Sequence, residues 1–357
     1  MRRTASLLLT VLVCVLFSSL RTESAIAVDS IYIRADGRID PVSAPISTVD
    51  NITYTLTDNI INQTIVVERN GIVLDGRMHR LQGDGARYGI AIFESSSVTL
   101  KQMSISGFFY GIIVQYPSGG YGYNFFLNNL ISNNTYGISL SSTQNNTLEG
   151  NVIEGNVEGI RLSFCSYGAV RNNRVLFNEK GLFMHTHLSD RIEIYDNLFF
   201  GNDWAMETFH AYNNIIYHND FINSTTTHVH TIEASNSYDD GYPSGGNYWS
   251  GHKATDLYSG PYQNETGSDG IGDTPYLVLD ENNVDNYPLM NIVGDIADVN
   301  NDLIVDIFDV VLCAYAYGAT PLDPNWNPDC DLAEPYGAID IFDIIIIAMS
   351  YGEEYTP

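Results

Sequence analysis

Asn151-Val-Ile-Glu-Gly-Asn156-Val-Glu-Gly159-Ile-Arg-Leu162 is answered 22 residues on by Asn173-Arg-Val-Leu-Phe-Asn178-Glu-Lys-Gly181-Leu-Phe-Met184. Three features keep their places: an Asn before x-apolar, a second Asn, and a Gly that opens an apolar-x-apolar triplet. Working outward, the Gly register runs Gly89, Gly111, Gly137, Gly159 and Gly181, at gaps of 22, 26, 22 and 22. One Asn register runs Asn129, Asn151, Asn173, Asn197 and Asn219, and the other Asn134, Asn156, Asn178 and Asn202. Alternation inside each triplet has period two, so these are strands. Short strands with Gly and Asn at the corners, at a period near 22, predict the rungs of a mainly β, right-handed parallel β-helix. Each rung buries its face only against its neighbours. The Asn columns are expected to hydrogen-bond up the stack, as amide ladders do in cross-β assemblies. No helix-length amphipathic run interrupts the strands, which argues against a doubly wound α/β fold.

On the N-terminal side, Ile31 to Gly37 and Thr53 to Leu56 read as a capping hairpin, and Ile65 to Glu68 and Ile72 to Gly76 as the first rungs. On the other side come Gly245-Gly-Asn-Tyr-Trp249, Asp269-Gly-Ile-Gly-Asp-Thr-Pro-Tyr276 and Asp280-Glu-Asn-Asn-Val-Asp-Asn-Tyr-Pro288. With the rungs and the Tyr-Ile-Arg-Ala-Asp-Gly opening, residues 30–290 resemble the NosD-like family of secreted β-helix proteins. The resemblance implies a β-helix of the carbohydrate-binding and sugar-hydrolase type, but a fold alone fixes no chemistry. The two acidic stretches read equally well as a further calcium site or as polar turns.

The last part of the chain carries a duplication. Val305-Asp306-Ile307-Phe308-Asp309 recurs 34 residues later as Ile339-Asp340-Ile341-Phe342-Asp343, and each copy leads an apolar run ending at Tyr-Gly, at Gly318 and Gly352. The first copy closes a run from Asp298 with calcium-loop spacing. Oxygen side chains stand at loop positions 1, 3, 5, 9 and 12, and position 7 needs only a backbone carbonyl. Two such loop-helix units resemble a dockerin module, the calcium-folded domain that binds cohesins. The resemblance covers about residues 294–357 and carries over ligands at Asp298, Asn300, Asp302, Ile304, Asp306 and Asp309, and more weakly at Asp331, Asp340 and Asp343. It also implies partner-facing residues at Ile307, Phe308, Ile341 and Phe342. Two departures stand. Leu303 occupies the usual Gly position, and the second loop is one residue longer, with Glu334 as the one acid in its middle. An acidic solvated loop without metal is the alternative for each.

The first 27 residues read as a secretion signal: Arg2-Arg3, an apolar core from Leu7 to Phe17 too short to span a bilayer, and Ala25-Ile26-Ala27 for cleavage. The formal charge is −27, and nothing after Lys253 is basic. So acidic a chain repels nucleic acid and anionic membrane. Cys313 and Cys330 allow two readings, a disulfide suited to an oxidising exterior or two structural thiols, with Cys165 left over. Glycosylation sequons occur at Asn51, Asn62, Asn133, Asn145, Asn223 and Asn264.

A candidate site lies in the last rungs. With Leu182, Met184 and Val229 facing in, Phe183, His185, His187, His228 and His230 face out, and Glu207 and Phe209 take the outward places between them. Stacked imidazoles suit copper or zinc, and the family has a historical link to copper. A carboxylate between aromatic rings suits sugar binding or cleavage, with Glu207 as acid or base and Phe183 and Phe209 as platforms. A solvated histidine-rich face is the third reading. A glycosidase needs a second carboxylate, for which Asp203 at a corner is the candidate. A lyase needs a basic residue, and the patch is expected to hold no Lys or Arg. The chain therefore reads as a secreted or cell-surface protein that binds polysaccharide and reaches a cohesin-like partner through the calcium module. A polysaccharide hydrolase or lyase, and a metal-handling protein, are the alternatives.

Overall fold

The computed structural model describes residues 30–352 apart from 186–188, 279–282, 293–296, 298, 300–303, 321, 322, 324, 328, 329 and 334–337, and apart from the side chains of 117–119 and 121. The predicted triplets are strands, and they stack in parallel. Two sheets of ten strands and one of nine run the length of a parallel β-helix of about eight turns. In the first sheet, Ile112, Ile138, Ile160, Leu182, Met206 and Val229 lie in register. The second aligns Leu100, Phe126, Leu148, Val170, Ile194 and Ile216. In the third, Ile105, Ile131, Ile153, Val175, Phe199 and Phe221 line up. These three inward columns are buried and make one continuous core.

The corners explain the Gly and Asn registers. A Cβ on Gly137 would stand 2.5 Å from the Gly159 carbonyl, and one on Gly159 would stand 2.7 Å from that of Gly181. Gly is there because the next rung's backbone passes too close for a side chain. Each ladder Asn is buried, and after the first of each ladder its Oδ1 accepts both the backbone N–H and the side-chain amide of the Asn one rung earlier. The first ladder runs on past Asn219 to Asn247. Two shorter ladders, Asn124 to Asn146 and Asn214 to Asn236, were not evident from the spacing. Five of the six sequon asparagines, Asn51, Asn62, Asn133, Asn145 and Asn223, take left-handed backbone conformations. Turn geometry that Asn tolerates therefore accounts for their recurrence.

The N-terminal prediction needs correction. The segments from Ile31 and Thr53 do not form one hairpin. Ser30–Ile33 pairs antiparallel with Ile39–Asp40, and Thr53–Leu56 pairs antiparallel with Ile46–Thr48; each also joins a different parallel sheet. At the other end a stacked column of Phe199, Phe221, Trp249 and Tyr276 continues the core into the cap. Asp285 anchors this cap. It is buried, and its carboxylate accepts the N–H groups of Asn247 and Tyr287 and the Trp249 indole N–H. In the first acidic stretch, Asp273 accepts the N–H groups of Leu257 and Tyr258, and Asp269 those of Gly260 and Ile271. These carboxylates serve as turn acceptors. Asp280 to Asn282 lie outside the described residues.

The C-terminal segment has its own small core, including Val305, Cys313, Ala316, Cys330, Ile339 and Ile347. Its described residues include two helices, α1 (Ile307–Ala316) and α2 (Ile341–Met349). Each begins with a reciprocal capping box, Asp306 with Asp309 and Asp340 with Asp343. Each unit also borrows from the other: Gly318 donates its N–H to the Ile339 carbonyl, and Gly352 donates to that of Val305. Of the two cysteine readings, the structure has the thiols. Cys313 and Cys330 are free and buried side by side, with the Asn327 amide on the Cys330 sulfur at 3.3 Å. Contact with Cys330, reinforced by burial, pushes the Cys313 thiol up.

Candidate functional site

The outward side of the first sheet carries the predicted patch in altered form. Inside each strand the alternation holds. Arg161, Phe183, Glu207 and His230 form one outward column, and Ser163, His185 and Phe209 the next. At the strand's first residue the chain is still turning its corner, and Glu158, Lys180 and Trp204 reach the same face from there.

Glu207 sits at the centre. Its side chain is only 9% exposed; one oxygen is ion-paired with Lys180 Nζ at 2.6 Å, and the other accepts His230 Nδ1–H at 3.2 Å. Trp204 lies 5.1 Å from the His230 ring, and Lys180 stands over both Trp204 and Phe183. One rung back, Arg161 pairs with Glu158 at 2.8 Å and covers Tyr136 and Phe183. Burial pushes the Glu158 carboxyl up, against the pull of Arg161 and Lys180. His185 stacks on Phe209 at 5.3 Å, and burial holds its imidazole below the ordinary range.

Four expectations change. The face does hold basic residues, Lys180 and Arg161. Arg161 was legible, since it occupies the same place in its triplet as Phe183. Lys180 was not, because alternation puts it inward. Second, His228 does not share the face. It lies in the corner register of Ala205, bonding Ser224 Oγ at 2.9 Å and the Ser250 carbonyl at 3.0 Å beside Trp249. Burial lowers its pKa. Third, Phe183 is 8% exposed beneath the two cations and offers no open platform. Fourth, Asp203 is a corner residue whose carboxylate takes the Thr225 hydroxyl at 2.6 Å. The carboxylate sunk in this face besides Glu207 is Glu158. His187 lies outside the described residues. Among the described residues, no three potential metal ligands converge.

Of the calcium-loop residues, Asp298, Asn300, Asp302 and Glu334 lie outside the described set. Asp309 and Asp343 are buried. Asp343 accepts the N–H groups of Leu332, Ala333 and Asp340, and Asp309 accepts that of Asp306. Buried carboxylates need compensation, and the chain beyond Lys253 contains no basic side chain. That donor set fits a hard cation. Ile307, Phe308, Ile341 and Phe342 are 51%, 62%, 50% and 58% exposed, so both helices turn apolar side chains outward.

No curated protein matches the chain. Among solved structures, similar chains include the periplasmic alginate epimerase AlgG (18% identity, TM-score 0.41, covering 49% of this chain and 47% of that one). Pectate lyase Pel9A matches at 14% identity and TM-score 0.37, over 50% of this chain and 57% of that one. An alginate lyase from Paenibacillus sp. matches at 13% and 0.30, over 53% and 70%. The chain thus spans about half the length of the first two. The family described as "Periplasmic copper-binding protein (NosD)" matches residues 46–254, more than half of the sequence, and the chain belongs to that family.

Proposed function

We propose that this is a secreted, modular protein that binds polysaccharide on the outward face around Glu207 and is attached to a partner through a dockerin-like module at 294–357. The observation that carries the first half is the convergence of Lys180 and His230 on one sunken carboxylate, with Trp204 against both and the Arg161–Glu158 pair one rung from Lys180. Such a face offers fixed hydrogen-bonding groups beside an aromatic edge, the usual means of holding sugars in a shallow site. The test is affinity electrophoresis against a panel of neutral and acidic polysaccharides. Trp204→Ala should weaken binding by about 1 kcal/mol, or roughly fivefold. Unchanged mobility of the wild type in every gel would end the reading.

The second half rests on the duplicated, capped helices with outward apolar residues and on buried carboxylates in a segment without cations. In the proposal, Asp298, Asn300, Asp302, the Ile304 carbonyl, Asp306 and Asp309 hold one calcium ion, and Asp331, Asp340 and Asp343 contribute to a second. Ile307, Phe308, Ile341 and Phe342 then face a cohesin-like domain. Calorimetric titration of the chelator-treated full chain should show two ions bound with a gain of helical ellipticity. One ion would retire the longer second loop, and none would remove calcium from the account.

The family description favours a copper-handling alternative through His185 and His230. Stoichiometric copper retained after dialysis, and lost in His185→Ala/His230→Ala, would establish it over sugar binding.

A further inference from the structure

Sugar binding alone leaves the orientation of His230 unexplained. Glu207 is occupied on both oxygens and nearly buried. His230 donates its Nδ1–H to that carboxylate, which fixes the tautomer and leaves Nε2 as the basic nitrogen. The imidazole side chain is 39% exposed, and Nε2 makes no hydrogen bond among the described residues. A carboxylate-oriented imidazole open to solvent is the arrangement of a general base. Lys180 stands on the other oxygen of the same carboxylate, so Glu207 holds a cation on one oxygen and a base on the other.

We infer that this face hydrolyses ester groups carried by a glycan, with His230 as general base, Glu207 as its positioning residue and Lys180 stabilising the oxyanion. The inference rests on the glycan-binding reading above. Ester hydrolysis fits better than cleavage of the sugar chain. A glycosidase needs two carboxylic groups free to act on either side of the bond, whereas Glu158 is tied to Arg161, Glu207 to Lys180, and Asp203 to Thr225. An ester needs one group that takes a proton and gives it back. His230 Nε2 removes a proton from water as the water oxygen bonds to the acyl carbon. The carbonyl electron pair moves onto its oxygen beside the Lys180 ammonium. Collapse breaks the bond from acyl carbon to sugar oxygen, and the imidazolium returns its proton to that oxygen. The products are a free sugar hydroxyl and a carboxylic acid. The polymer is a neutral one, since a chain with a formal charge of −27 repels a polyanion and also expels the acid product.

The test is acetate release from acetylated xylan by the full chain, with p-nitrophenyl acetate as a polymer-free probe and xylan binding measured beside it. Wild type should release acetate. His230→Gln should lower kcat by about a hundredfold or more, and Lys180→Met by about a hundredfold. Glu207→Gln should lower kcat with KM little changed, a split that a merely structural role would not produce. Asp203→Asn should behave as wild type. Equal release by wild type and a folded His230→Gln would overturn the inference. So would xylan binding without acetate release, with the binding reading left standing. Loss of both would sink the binding reading itself.

Discussion

Asn151→Ala is expected to cost the solenoid about 2–6 kcal/mol, since each of the two buried groups left without its hydrogen bond costs roughly 1–3 kcal/mol. Asn151 Oδ1 accepts the backbone N–H of Asn129 at 3.0 Å and its amide at 2.8 Å. Its own amide donates to the Phe126 carbonyl and to Asn173 Oδ1, both at 2.8 Å. Alanine strands the buried Asn129 N–H and removes the amide from the Phe126 carbonyl in mid-stack, where each rung is held only by its neighbours; Asn173 Oδ1 keeps the residue-151 backbone N–H, and the Asn129 amide keeps the Leu100 carbonyl. Asn236→Ala provides the internal comparison. Its Oδ1 accepts twice from Asn214, while its own amide has no partner among the described residues, so about half the cost is expected. Urea unfolding of both variants checks this. A loss below about 1 kcal/mol at Asn151 would mean that water replaces the ladder at little cost.

Asp285→Asn is the second large effect. The amide keeps one acceptor oxygen where the carboxylate serves three N–H donors, so at least one donor faces an NH2 group. A cost of about 1–3 kcal/mol follows for each donor stranded, concentrated in the cap around Trp249. Burial pushes the Asp285 carboxyl up to about 7, against the pull of those donors. The unfolded chain releases the proton near pH 4, so between about 4 and 7 the folded state holds a proton that the unfolded state gives up. This contribution is therefore fully present at the acid end of the window and lost as pH rises to about 7. The wild-type advantage over Asp285→Asn should widen from pH 7 to pH 5, read as the difference in Tm. A constant difference would show that Asp285 is ionised throughout.

The rungs were legible because stacking makes every turn solve the same steric problem with the same residues. Gly137, Gly159 and Gly181 each meet the next rung's carbonyl, and the ladder asparagines each satisfy the previous rung. Legibility failed where alternation does. Lys180 and Glu158 precede the Gly that turns the corner, so period two assigned them to the inside, although they reach the outer face. His228 failed for the same reason in reverse: it stands beside Ala205, at a corner where an outward side chain folds back toward Ser224 and Ser250. Asp285 belongs to a cap with no repeat behind it, so its three donors had no counterpart to reveal them. At the C-terminal end, spacing located the helix starts, since a carboxylate three residues after another is also the signature of a capping box.

The exchange of Gly318 and Gly352 between the two C-terminal units bears on how that segment can fail. Each helix closes its last turn on a carbonyl that belongs to the other unit, and Cys313 and Ile347 share one core. Neither repeat has a complete hydrogen-bond set or a dry interior by itself. A chain cut near residue 320 would leave an unstructured tail instead of half a domain. Proteolysis anywhere in the segment should therefore remove both helices in one step, with no stable fragment between.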